Sequence, residues 1–112
     1  MNTVSTHVLD TALGRPAAGI SVALERDGRL VGSGITDEDG RVRDLLSNDA
    51  LQLEGEATYR LTFLVGDYFS KDSRKSFYSE IVISFHVGEE SGHYHVPLLL
   101  SPFGYATYRG SR

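Results

Sequence analysis

The stretch ISVALERDGRLVGSGITDEDGRVRDLL, residues 20–46, decides how this chain folds. Ile20, Val22 and Leu24 share one face of an extended backbone, with Ser21 and Glu25 on the other. That is the period of two expected of a half-buried strand. Asp27-Gly28 ends the run, because such a pair accepts the positive φ angles of a tight hairpin turn. The chain is therefore expected to reverse into a second strand over Arg29–Thr36. A second acidic turn, Asp37 to Gly40, closes on Asp-Gly again and opens a short strand over Arg41–Leu45.

The same alternation recurs on both sides. Upstream, Val4–Asp10 reads as a strand, separated from Ile20 by Gly14, Pro16 and Gly19. Downstream, a polar loop runs to about Ala57, and Thr58–Val65 aligns Tyr59, Leu61, Phe63 and Val65. Tyr68–Ser79 breaks the pattern, and Phe69, Phe77 and Tyr78 are spaced for a short amphipathic helix there. Glu80–Val87 returns to strand, and after the loop Gly88–Gly92 come His93–Leu100 and Gly104–Arg109. About eight short strands with one helical insert predict an all-β, antiparallel two-sheet β-sandwich. Nothing reads as a linker or repeat, so residues 1–112 are expected to form one domain.

Composition narrows function by exclusion. The formal charge is −4 and no run of Lys or Arg occurs, which argues against nucleic acid, whose phosphates demand a basic surface. There is no cysteine, hence neither a disulfide nor a thiolate nucleophile, as fits a reducing compartment. MNTVSTHVLD lacks the basic and apolar regions of a signal peptide. The longest apolar run, Val96–Leu100, contains Pro97 and is far too short to span a bilayer. A soluble cytoplasmic protein is expected, with no membrane or nucleic-acid partner. The last strand carries no Lys, Pro or Glu before Arg109. It is either an interior strand or an unguarded edge open to another chain.

Few residues here can do chemistry. His93 and His95 sit two apart on a strand, so both point to one face with Cα atoms ~6.5–7 Å apart. An H-x-H pair could begin a zinc site, but spacing fixes no third ligand. His7 shares its strand face with Ser5 and Leu9, while His86 has no companion and reads as structural. Arg41 follows an Asp-Gly turn directly. It either balances Asp37, Glu38 and Asp39 or grips an oxygen-rich planar ligand through its fork of donors. No G-x-S-x-G elbow, phosphate loop or dinucleotide fingerprint is present.

Longer motifs weigh more. HYHVPLLLSPFGYATYRGS (His93 to Ser111) closely resembles the closing signature of the 5-hydroxyisourate hydrolases, the transthyretin-like enzymes of urate breakdown. STHVLDTALGRPAAGISVAL (Ser5 to Leu24) resembles that family's opening signature. TDEDGR (Thr36 to Arg41), GDYF (Gly66 to Phe69) and FYSEI (Phe77 to Ile81) match the segments between, so the resemblance covers nearly the whole chain.

The resemblance implies catalytic roles for His7, Arg41, His95 and Ser111, and substrate contacts from these and from Tyr108, Arg109 and Gly110. His93 precedes the matched YHVP run and is expected to be a neighbour of the site, and Arg43 is not the matched arginine. Many relatives end at the serine of YRGS, whereas this chain continues to Arg112. The family's architecture implies two four-stranded sheets, homotetramers, and active sites where two dimers meet. Its reaction implies ring opening of 5-hydroxyisourate by water to give 2-oxo-4-hydroxy-4-carboxy-5-ureidoimidazoline. A histidine pair would activate the water and Arg41 would hold the oxyanion, with no metal or organic cofactor. The competing readings are a carrier of hydrophobic ligands, like transthyretin, and an adhesive β-sandwich. Carriers lack the two histidines, the arginine and the YRGS ending present here.

Overall fold

The computed structural model describes residues 3–46, 56–88 and 92–111. Two sheets face each other. The first has the order β2-β1-β8-β9, from Arg15–Pro16 (β2), Thr3–Asp10 (β1), His93–Ser101 (β8) and Gly104–Thr107 (β9). Arg41–Val42 (β5) adds to β1 of the same sheet. The second has the order β4-β3-β6-β7, from Arg29–Ile35 (β4), Ser21–Arg26 (β3), Ala57–Phe63 (β6) and Ile81–Val87 (β7). The all-β sandwich is thus as the alternation indicated.

Packing follows the period of two. Val22 and Leu24 on β3, Leu61 and Phe63 on β6, and Ile81 and Ile83 on β7 face inward and are buried. They meet Val4 and Val8 of β1 and Leu98 and Leu100 of β8 in one core cluster. Each such side chain contributes ~1.5–3 kcal/mol on burial. On β1 and β8 this inward parity leaves the odd-numbered residues facing outward. Thr3, Ser5 and His7 therefore lie beside His93, His95 and Pro97 on the outer face.

Three sequence expectations need correction. First, the sandwich is not wholly antiparallel, since β1 and β8 pair in parallel from Thr3↔His93 to Asp10↔Leu100. The period of two reports which side is buried and carries no information about a neighbour's direction. Secondly, the helix is Val65–Lys71 (α1) and does not include Phe77 or Tyr78. Val65 and Phe69, four residues apart, supply its buried stripe. Phe77 instead donates its backbone N–H to Pro102 O, and its ring meets Tyr78 edge-on. Thirdly, several strand ends move: β5 stops at Val42 and β9 at Thr107. The polar loop expected up to Ala57 and the loop at Gly88–Gly92 lie largely outside the described residues.

Asp10 ties the two layers together. Its carboxylate is wholly buried at the end of β1, and Oδ1 accepts the backbone N–H groups of Ala12 and Leu13. Oδ2 accepts from the Tyr68 hydroxyl of α1 at 2.8 Å and from Arg74 Nη2 at 2.7 Å. The Arg74 guanidinium lies 4.9 Å from the Phe69 ring centre and 5.6 Å from that of Tyr68. Burial alone would raise the Asp10 pKa, but the hydrogen bonds from Arg74, Tyr68 and Leu13 outweigh it and hold the group below the ordinary carboxylate value. Among the described residues no helix is long and apolar enough to cross a membrane.

Candidate active site

The site is built on the outer face of the first sheet, and its arginine arrives by way of a glycine. Asp37 organises the preceding turn, with Oδ1 accepting the backbone N–H groups of Asp39 and Arg41. Those bonds, the one from Arg41 first, outweigh a small desolvation and hold the Asp37 carboxyl below its usual range. Gly40 then adopts φ +76, and its carbonyl accepts Val8 N–H at 2.7 Å. A Cβ at Gly40 would stand 2.3 Å from Val8 O, so both the conformation and the close approach exclude other residues. The turn presses β5 against β1 and sets Arg41 opposite His7. Asp37 thus binds the backbone of Arg41, and among the described residues the Arg41 guanidinium forms no ion pair.

Beside Arg41 lies a pocket of about 160 Å³ lined by Ser5, Thr6, Arg41, Val42, Arg43, His93 and His95. His95 is 5 % exposed. Its Nδ1 lies 2.7 Å from Ser5 Oγ, which also lies 3.0 Å from His93 Nε2. His93 Nδ1 in turn hydrogen-bonds the Thr3 hydroxyl. The two imidazoles run nearly parallel, 14° apart with centres 6.3 Å apart, as strand parity requires. Burial first, then the positive charge of Arg41 and the neighbouring His93 and His7, push the His95 pKa below its ordinary value. That direction favours the neutral imidazole, the form able to accept a proton.

Among the residues singled out from sequence, the structure brings His95 and Arg41 into one pocket. His7 lies on the same face, paired with Arg41 and Pro97, without lining that pocket. Gly110 bridges to His95 through its N–H to His95 O at 2.8 Å. A Cβ there would come 2.5 Å from His95 Cδ2 and 3.1 Å from Pro97 Cγ. Tyr108 and Arg109 line a different pocket, of about 230 Å³, with Ile83, Phe85, Tyr94 and Val96. The Arg109 guanidinium stacks 4.6 Å over the Tyr94 ring, and Ser111 is exposed. His95 lines this second pocket as well as the first, so Tyr108 and Arg109 reach its neighbourhood from the side away from Arg41, and Arg112 lies outside the described residues.

Sequence reasoning overlooked Ser5, Thr3, Thr6 and Arg43 as parts of this environment. Parity already put Ser5 on the face of His7, but only the parallel register of β1 on β8 puts it against His95. Among the described residues no three His, Cys, Asp or Glu side chains are gathered to hold a metal ion. His86 is exposed on β7; it does not line this pocket but shares the second one with His95.

Fold and site together define a transthyretin-like sandwich with a polar histidine–arginine pocket on one sheet face. Comparison with known proteins agrees. The solved structure of Klebsiella pneumoniae 5-hydroxyisourate hydrolase superposes with a TM-score of 0.87 at 36% identity, covering 99% of this chain and 100% of that one. Transthyretin from Sparus aurata superposes at 0.86 with 25% identity, covering 98% and 97%. In sequence, the chain is 47% identical to 5-hydroxyisourate hydrolase 2 of Rhizobium meliloti, covering 96% of this chain and 95% of that protein. It is 41% identical to a Salmonella typhimurium 5-hydroxyisourate hydrolase, covering 98% and 82%. The model of the HIUase/Transthyretin family matches residues 4–110, and the chain belongs to that family.

Proposed function

We propose that this protein hydrolyses 5-hydroxyisourate to 2-oxo-4-hydroxy-4-carboxy-5-ureidoimidazoline, a step of urate breakdown. The observation that carries the reading is one pocket holding both a buried imidazole whose neutral form is favoured, His95, and the guanidinium of Arg41, which forms no ion pair among the described residues. Relatives of both origins bear the hydrolase name, at 36% to 47% identity. A pocket lined by two arginines and two histidines also suits an oxygen-rich heterocycle better than the apolar cargo of a carrier.

In this scheme Arg41 donates to a ring carbonyl of the substrate and fixes the plane of the ring. His95 accepts a proton from water at Nε2, since Nδ1 is engaged by Ser5. The water oxygen adds to the carbonyl carbon, and the carbonyl electron pair becomes an oxyanion held by Arg41, a contribution of ~3–4 kcal/mol for a well-aimed donor. Collapse breaks the C–N bond, and the leaving nitrogen takes the proton back from His95. His7, opposite Arg41, orients the water or ring. The scheme uses no metal or organic cofactor.

Tyr108, Arg109, Gly110 and Ser111 complete the site in a homotetramer, where another chain closes over the sheet face. The edge position of β9 and the exposed rings of Phe103, Tyr105 and Tyr108 support association. Light scattering giving four chains per particle checks this, and a fully active monomer contradicts it. The cytoplasm is the compartment proposed. To test the roles, His7→Ala, His95→Ala and Arg41→Ala should each lower kcat/KM at least ~100-fold. His86→Ala should leave it near the parent value, and equal losses at all four would show the site is misassigned.

A further inference from the structure

Hydrolysis of a cyclic amide to a carboxylate and an N–H releases one proton per turnover at neutral pH. One proton of the water reaches the leaving nitrogen by way of His95, and the other departs as the new carboxyl group ionises. His95 carries the first of them in a buried position, beside Arg41 on β5, His7 on β1 and His93 on β8, with Arg43 also lining the pocket. An imidazolium there has poor access to water and unfavourable neighbours. Discharge requires a route.

The hydrogen-bonded chain leading from His95 is such a route. Ser5 Oγ has one proton to donate and two lone pairs, and it sits between two ring nitrogens, at 2.7 Å from His95 Nδ1 and 3.0 Å from His93 Nε2. The far nitrogen of His93 is bonded to the Thr3 hydroxyl, and His93 is only half-buried. For two neutral imidazoles the single Ser5 proton permits two directions of the chain. In one, His95 Nδ1–H donates to Ser5, Ser5 donates to His93 Nε2, and His93 Nδ1–H donates to Thr3. This direction leaves His95 Nε2 unprotonated, as the proposed hydrolysis needs. In the other, every donor reverses and His95 Nε2 carries the proton.

We propose that Thr3, Ser5 and His93 form a proton relay that empties His95 towards solvent and sets its tautomer. The proposal rests on the hydrolytic reading above. When His95 holds a proton at both nitrogens, Nδ1 gives its proton to Ser5 Oγ while the Ser5 proton passes to His93 Nε2. His95 is then neutral, His93 is the imidazolium, and no proton or electron is gained or lost overall. His93 loses its Nδ1 proton to bulk water from the half-buried end. When His95 Nε2 gives its proton to the leaving nitrogen, the chain reverses: the Ser5 proton passes to His95 Nδ1, the His93 Nε2 proton to Ser5, and one proton from water to His93 Nδ1, which restores the starting tautomer. Ser5 and His93 are positioning residues: they act through His95 and need not touch the substrate.

Two variants and one spectrum test the relay. His93→Gln keeps a hydrogen-bonding group of similar reach but cannot carry a proton, and Ser5→Ala cuts the chain at its centre. Both should lower kcat ~10-fold or more at little-changed KM and unchanged melting temperature, in the range of a lost proton-transfer group. Free imidazole in the buffer should restore the kcat of His93→Gln and leave the parent unchanged, a response that lost packing cannot give. Independently of any substrate, nitrogen-15 NMR of the histidine rings should show His95 of the parent protonated at Nδ1, a preference lost in Ser5→Ala. Parent-like kcat in both variants, or a deficit that imidazole does not restore, would overturn the relay. An inactive parent that still shows the Ser5-dependent tautomer would overturn the hydrolytic reading and leave the hydrogen-bond chain standing.

Discussion

Single residues carry the electrostatics of this site. His95 has a pKa pushed below ~6.5, the ordinary histidine value, by burial first and by Arg41 second. A base must be neutral to work, so the acid limb of kcat/KM is expected below pH ~6.5. In Arg41→Met one positive neighbour is gone while the burial remains. The His95 titration followed by NMR should therefore move upward, part of the way to the ordinary value, and a downward move would contradict the assignment. Gly110 is the other decisive position. A methyl group there meets His95 Cδ2 at 2.5 Å, so Gly110→Ala must displace either the imidazole or the tail. Turnover should fall ~10-fold or more, as small misplacements of catalytic groups do. The melting temperature should hardly change, because the tail lies outside the core, and parent-like turnover would show that this contact does not position the ring. Arg41 and His95, which the structure brings into one pocket, stood out in the sequence because each falls inside a long motif, as does His7, which shares the face without lining the pocket. Ser5 was not legible as a partner of His95, because their contact joins residues 90 positions apart through a strand register that no local pattern encodes.

At the scale of elements, alternation and Asp-Gly turns were enough to locate the principal strands, since side-chain burial with period two is a local property. Direction and helix placement were not local. The β1–β8 pairing is parallel because both strands are central in their sheet and reached by crossing between layers, a topological fact. The helix starts at Val65, where the sequence still reads as strand, because Val65 is buried at either period. Phe77 and Tyr78 misled as helical apolar positions, since their rings serve aromatic contacts that include Tyr78 on Tyr105 at 5.3 Å. The element most dependent on one interaction is α1, fastened to β1 through Asp10, Tyr68 and Arg74. Arg74→Met removes the cation and strands a buried carboxylate, at a cost of ~3 kcal/mol or more. That should lower the melting temperature by more than ~10 °C at pH 7 in a domain of this size. The pH dependence has a definite sign. Asp10 titrates lower folded than unfolded, so its contribution is complete above ~3.9 and is lost as pH falls through the folded value. The gap between parent and Arg74→Met should close as the pH drops below ~4, and a gap constant down to pH 2 would mean that Asp10 is not its source.

The molecule as a whole is a sandwich that keeps one sheet face polar, and the proposed chemistry lies there. Ser5, Arg41, His93 and His95 share that face, while the neighbouring edge strand and exposed aromatic rings are free for contact with further copies. The same architecture serves transthyretins. What separates a hydrolase from a carrier on this fold is therefore the side chains on the face, not the strands beneath them. One rate decides whether the protein acts on 5-hydroxyisourate. 5-Hydroxyisourate generated from urate by urate oxidase has an ultraviolet band whose spontaneous decay can be followed directly. Added after exhaustive chelation, this protein should make the band decay many times faster, in proportion to enzyme concentration. Decay at the spontaneous rate would contradict the proposed hydrolysis, and acceleration that appears only when zinc is restored would contradict its mechanism.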